Sequence, residues 1–171
     1  MENRKIRVGI THGDINGVGY EVILKTFSDP TMLELCTPVV YGSPKVAAYH
    51  RKAMEIQTSF SIVNSAEEVQ DGRVNVVNCI EEELKVELTK PTSEAGKAAL
   101  AALVGALAEC REGLFDVLVT APINKHTIQS DAFHFPGHTE YIEERVGEGQ
   151  KALMILLKGD FRVALVTGHV P

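Results

Sequence analysis

The chain has 171 residues, 44% of them hydrophobic, enough to close a core without staples, which excludes disordered, collagen-like and mini-protein readings. With 17 basic and 23 acidic residues the net charge is −6, so no basic field awaits nucleic-acid phosphates, and no apolar run approaches the roughly 18–20 residues of a membrane span. Cys36, Cys79 and Cys110 are an odd set without C-x-x-C spacing, which points to free thiols in a reducing compartment, the cytoplasm by default.

The N-terminus runs straight into a strand at Ile6–Ile10, so no signal peptide or anchor is expected. A helix near Gly19–Ser28 follows, then a strand at Val39–Gly42 and a helix over Pro44–Met54, opened by a proline where the first turn tolerates one. Strands are expected at Ser59–Val63 and Val74–Asn78, and Glu81-Glu82-Glu83 reads as a solvated loop. Lys85–Thr89 suits an excursion from the main sheet, and the longest helix spans Ser93–Glu112, capped by Thr92 or Ser93. Its stripe Ala95, Ala98, Ala99, Ala102, Leu103, Ala106, Leu107 and Cys110 is widened by Leu100, Ala101, Val104 and Ala108. Such a helix is buried on more than one side, in the core or at a subunit interface. A strand at Val117–Thr120, helices near Asn124–Ser130 and Thr139–Val146, and strands at Leu153–Leu157 and Arg162–Thr167 complete the pattern. Strands alternating with helices, several apolar on both sides, predict an α/β fold with a mainly parallel sheet covered on both faces. The last strand reads as buried, yet only four residues follow it and no covering helix does, as though the chain were interrupted.

Chemistry could sit in four places. Thr11–Gly19 is a glycine-rich strand-to-helix turn, which can free backbone N–H groups for an anion or be a purely structural tight turn. It is neither a dinucleotide fingerprint, since Val22 stands at the third glycine position, nor a P-loop, since it lacks Gly-Lys-Ser/Thr. Lys125, after the strand Val117–Thr120, can act as a point charge for a carboxylate or phosphate, or be solvated surface. A Pro-Gly turn delivers His138 and Thr139 to a helix start, where Thr139 can equally be a cap and His138 a satisfied turn residue. His169, beside the last strand, suits a metal or acid-base position, or packing. His134 and His138 are four apart, but Pro136-Gly137 rules out a shared helix face, and no cysteine has a histidine near it in sequence.

Four segments in order carry a resemblance. They are Gly9-Ile10-Thr11-x-Gly13-Asp14-x-x-Gly17-Val18-Gly19-x-Glu21, Asp116-x-Leu118-Val119-Thr120-Ala121-Pro122-Ile123-Asn124-Lys125, Gly137-His138-Thr139-Glu140 and Val163-Ala164-Leu165-Val166-Thr167-Gly168-His169. Together they resemble the 4-hydroxythreonine-4-phosphate dehydrogenase family of pyridoxal phosphate biosynthesis. The resemblance implies a three-layer sandwich like that of the isocitrate and isopropylmalate dehydrogenases, and a homodimer with active sites at the subunit interface. It also implies oxidation of 4-phosphohydroxy-L-threonine with NAD or NADP, aided by a divalent metal such as zinc, magnesium or cobalt. By the same resemblance His138 and Thr139 are substrate contacts and His169 is one of three metal histidines. Family members are about twice as long, so residues 1–171 are expected to be an N-terminal portion, inactive alone. Ile15 and Tyr20 stand where the family usually carries proline, and Gly168 where it usually carries threonine. A dehydrogenase of a 4-phosphorylated four-carbon sugar acid, and a non-catalytic phosphate-binding or assembly module, are the alternatives.

Overall fold

The computed structural model describes residues 4–167. They form two compact units, one through His134 and the other from Phe135. In the first unit β1 (Ile6–Thr11), β2 (Cys36–Gly42), β3 (Phe60–Val63), β4 (Val74–Asn78) and β5 (Val117–Thr120) build a five-stranded sheet in the order β3-β4-β2-β1-β5. Every neighbouring pair is parallel, with Ile6 opposite Cys36 and Thr11 opposite both Tyr41 and Thr120.

The period-2 alternation of the strands divides the core between the two faces. Ile10, Val40, Val74 and Val76 pack with Tyr20 and Ile23 of α1 (Gly19–Thr26), with Phe27 just after that helix, and with Val46 and Ala47 of α3 (Pro44–Ala53). Val39, Tyr41 and Val77 pack with Ala102 and Ala106 of α4 (Ser93–Arg111) and with Phe115. Helices thus cover both faces, the arrangement that a parallel, doubly apolar sheet requires. The stripe expected on α4 is buried, from Ala95 through Leu107. The wider apolar surface is not: Val104 is half exposed and Ala108 lies on the open side.

Local chemistry sets the helix starts. Thr92 Oγ1 accepts from Ala95 N at 3.3 Å, and Ser43 Oγ accepts from Val46 N just before Pro44. The same logic makes α2 (Pro30–Leu35), a helix that periodicity missed, since Asp29 caps it through Thr31 N and Pro30 fills its first position. The helix expected over Asn124–Ser130 does not form. Asn124 Oδ1 takes the N–H groups of His126 and Thr127 into a single turn, and the chain then makes a bridge from Ser130 to Phe133.

The second unit contains α5 (His138–Val146) and an antiparallel hairpin of β6 (Ile155–Lys158) and β7 (Phe161–Ala164). The buried strand expected over Arg162–Thr167 is therefore shorter, antiparallel and largely exposed. Its apolar run was legible; the burial it calls for is not supplied within this unit. Among the described residues, no helix is long and apolar enough to cross a membrane.

Candidate functional site

The sheet order locates the first candidate. From β1 the chain steps to β2 and on toward β3, then α4 carries it back across to β5 on the other side of β1. Loops after β1 and β5 consequently leave the sheet at adjacent carboxyl ends, where parallel α/β sheets place ligands. The two loops are tied together by Ala121 N to Thr11 O at 3.1 Å and Asp14 N to Pro122 O at 2.9 Å. Gly13 is required between them: its φ is +73°, and a Cβ there would lie 2.3 Å from Pro122 O. Asn16, almost fully buried, holds the excursion after β4 against the same turn, accepting from Glu87 N and donating to Lys90 O and Thr92 Oγ1.

Behind this turn lies a feature that sequence reasoning missed, a stack of three buried rings. His12 and Tyr20 are parallel with centroids 5.2 Å apart, and Tyr20 and His50 stack at 5.4 Å. Tyr20 donates to Ser43 O and accepts from Ser43 N, each at 3.0 Å, while His50 Nε2 lies 2.8 Å from Ile15 O. A phenol at the second residue of α1 therefore pins the glycine-rich turn to the start of α3. Tyr20→Phe is expected to keep the stack but orphan the Ser43 N–H, costing about 2 kcal/mol in urea unfolding; an unchanged midpoint would show the hydroxyl is idle.

His12 is completely buried, and neither ring nitrogen makes a hydrogen bond of ordinary geometry. Burial pushes its pKa down from 6.5 to about 4, offset only in part by the backbones of Ala98 and Gly13. His50 is lowered too, chiefly by burial. A depressed histidine pKa means that the unfolded chain takes the proton first, so this stability is whole above pH 6.5 and lost as pH falls toward 4. Unfolding free energy should drop by about 2 kcal/mol between pH 7 and pH 5. In His12→Leu most of that slope should vanish, and an equal slope in both proteins would refute the assignment.

Lys125 is exposed in the loop after β5, with no ion pair to its ammonium among the described residues. All three cysteines are free, and burial pushes the Cys79 thiol up to about 11 and raises that of Cys36, away from an activated thiolate.

His138 and Thr139 open α5 in the second unit, His138 half-buried and Thr139 exposed. Gly137 occupies the cap position and no side chain caps the helix, so Thr139 is not the cap that its sequence position allowed. The first turn of α5 thus presents uncapped N–H groups with an alcohol beside them, a setting that favours an anionic ligand. Tyr141, the buried anchor of this helix, meets the Phe135 ring edge-on at 5.2 Å and carries the Arg145 guanidinium over its face. Thr139 also borders an open groove of about 530 Å³ with Ile142, Glu143 and Lys151, the last two paired at 2.6 Å. His169 lies outside the described residues. Among those described, no group of three His, Cys, Asp or Glu side chains could hold a metal ion.

A parallel five-stranded sheet covered by helices, with paired loops at the β1 and β5 carboxyl ends, defines an α/β protein of the doubly covered class. Residues 34–171 match the model of the pyridoxal phosphate biosynthetic protein PdxA family, and the chain belongs to that family. It is 73% identical over 171 residues to a 4-hydroxythreonine-4-phosphate dehydrogenase of Bacteroides thetaiotaomicron, covering 100% of this chain and 47% of that protein. It is 32% identical over 173 residues to the "Putative D-threonate 4-phosphate dehydrogenase" of Oceanobacillus iheyensis, covering 98% and 51%. A crystal structure of 4-hydroxythreonine-4-phosphate dehydrogenase from Burkholderia phymatum superposes with a TM-score of 0.86 at 27% identity, covering 99% of this chain and 52% of that one. The chain spans about half the length of the relatives it matches.

Proposed function

We propose that these residues are the N-terminal portion of a dehydrogenase that oxidises 4-phosphohydroxy-L-threonine with NAD or NADP in pyridoxal 5'-phosphate biosynthesis. The observation that carries the reading is 73% identity to such a dehydrogenase through all 171 residues. The reading extends to a cytoplasmic homodimer with the sheet architecture of isocitrate and isopropylmalate dehydrogenases.

In this reading His138 and Thr139 orient the substrate. An imidazole and an alcohol at an uncapped helix start can hydrogen-bond an anionic, hydroxyl-bearing molecule and hold its reacting carbon at a set distance from the nicotinamide. NAD or NADP, when bound, supplies the hydride acceptor. His169 is assigned as one ligand of a divalent ion, zinc, magnesium or cobalt, whose other ligands come from beyond residue 171.

A second reading is favoured by a specific observation, the 32% identity to the "Putative D-threonate 4-phosphate dehydrogenase", which is as great as that to two of the 4-hydroxythreonine-4-phosphate dehydrogenases, at 30% and 32%. The test is reduction of NAD or NADP by the protein of the source gene, supplied in turn with 4-phosphohydroxy-L-threonine, 4-phospho-D-threonate and 4-phosphoerythronate. Turnover of the first alone bears the proposal out. Preference for either of the others moves the substrate within the class, and no reduction with any leaves a binding or assembly role. The 171-residue chain by itself is expected to show no turnover.

A further inference from the structure

The groove beside Thr139 carries a charge pattern that the proposed site leaves unused. Thr139, Ile142, Glu143 and Val146 share one face of α5, and with Lys151 and Ala152 they line about 530 Å³ of open space. Two opposite charges stand in it: Lys151 Nζ lies 2.6 Å from Glu143 Oε1, and Ala152 N donates to Glu143 Oε2 at 2.8 Å. The Glu143 side chain is 23% exposed and that of Lys151 89%, so the carboxylate is fixed in the lining while the ammonium reaches into solvent. Lys151 and the Ala152 N–H hold the Glu143 carboxyl below its usual range, and Glu143 raises Lys151 in return, so both stay ionised near neutral pH. An exposed pair of this kind adds little to stability. Glu148 brings a second carboxylate to the lining. The groove also runs toward the carbonyl end of α5 at Val146, which favours cations as the N–H end at His138 favours anions.

We propose that Glu143 and Lys151 read the amino-acid head of the substrate, Glu143 taking its ammonium and Lys151 its carboxylate, and so select an amino acid over the corresponding hydroxy acid. The inference rests on the reading of His138 and Thr139 as substrate contacts, and adds a pair that sets specificity beside them. Residues four apart on a helix have Cβ atoms about 5–6 Å from each other. A ligand whose alcohol hydrogen-bonds Thr139 therefore brings the substituent of its next carbon to Glu143. In 4-phosphohydroxy-L-threonine that substituent is the ammonium, and the carboxylate follows it. The order phosphate, carbinol, ammonium, carboxylate then matches the order helix start, Thr139, Glu143, Lys151. Binding exchanges one ion pair within the protein for two between protein and substrate. In 4-phospho-D-threonate a hydroxyl replaces the ammonium, so Lys151 would leave Glu143 for the carboxylate and Glu143 would face a neutral group, a built-in penalty against the hydroxy acid.

The test compares Glu143→Gln and Lys151→Met in the protein of the source gene on both acids, with 4-phospho-D-threonate assayed as a substrate or, where it is not oxidised, as a competitive inhibitor. Glutamine keeps an oxygen to accept from Ala152 N and loses only the charge. Glu143→Gln should lower kcat/KM for 4-phosphohydroxy-L-threonine about 30-fold and shift the preference toward 4-phospho-D-threonate at least ~10-fold. Lys151→Met should weaken both acids alike, roughly 10-fold, since both carry the carboxylate. Equal losses on the two acids in Glu143→Gln, the result of a merely structural pair, overturn this inference alone, and so does the absence of any loss. A parent protein that prefers 4-phospho-D-threonate also overturns it while keeping the dehydrogenase class. A parent that reduces neither NAD nor NADP with either acid removes both the inference and the reading beneath it.

Discussion

Gly96→Ala is expected to destabilise the first unit by roughly 4 kcal/mol or more, although alanine is the better helix former by about 1 kcal/mol. Gly96 lies in the first turn of α4, and a Cβ there would stand 1.8 Å from Thr127 O, 2.3 Å from Thr127 C and 2.9 Å from Ile128 N. These atoms are backbone, in the turn that Asn124 organises, so no rotamer change relieves the overlap. Either α4 lifts off β1 and β2, or the turn after β5 shifts together with the Asp14–Pro122 tie. Gly105→Ala, in the same helix, is the control: its Cβ would meet the Cys79 side chain, Sγ at 2.9 Å, which can rotate aside. Propensity and clash then nearly cancel, and its urea midpoint should fall close to that of the parent. If the two variants unfolded alike, the close approach of α4 to the Thr127 turn would not exist in solution.

If the full-length protein is the dehydrogenase proposed above, His138→Ala and Thr139→Ala should each lower its kcat/KM about 10²–10³-fold, the scale of losing one polar contact aimed at a reacting, charged substrate. The loss should fall on kcat as well as KM, because both residues would position the substrate in addition to holding it. Neither change should unfold the protein, since the helix is anchored by Tyr141 and Thr139 does not cap it. Thr139→Ser keeps the hydroxyl and should recover most of the activity. Full activity in both alanine variants would remove these residues from the substrate site and leave the β1–β5 edge as the place to search.

Much of the first unit is written locally. Runs such as Val39–Gly42 and Val74–Asn78 are β-branched and apolar on both sides, and each became a central strand. Thr92, Ser43 and Asp29 act within a few residues of where they stand, so three helix starts follow from neighbours alone. Asn124 has the same local reach with the opposite result, because its side chain captures the N–H groups of His126 and Thr127 and holds the chain in a single turn where a helix over 124–130 is expected.

By itself, the sequence determined the α/β class, the parallel sheet, the family and the positions of His138 and Thr139 at a helix start, because short-range sterics, caps and two-faced strands carry that information. Only the tertiary structure decided that His12, Tyr20 and His50 stack behind the glycine-rich turn, that Gly96 admits the Thr127 backbone, and that the β6–β7 hairpin stands uncovered. Each of these depends on residues distant in sequence meeting, or failing to meet, in space. An isolated histidine or an apolar strand reads the same whether or not its partner arrives.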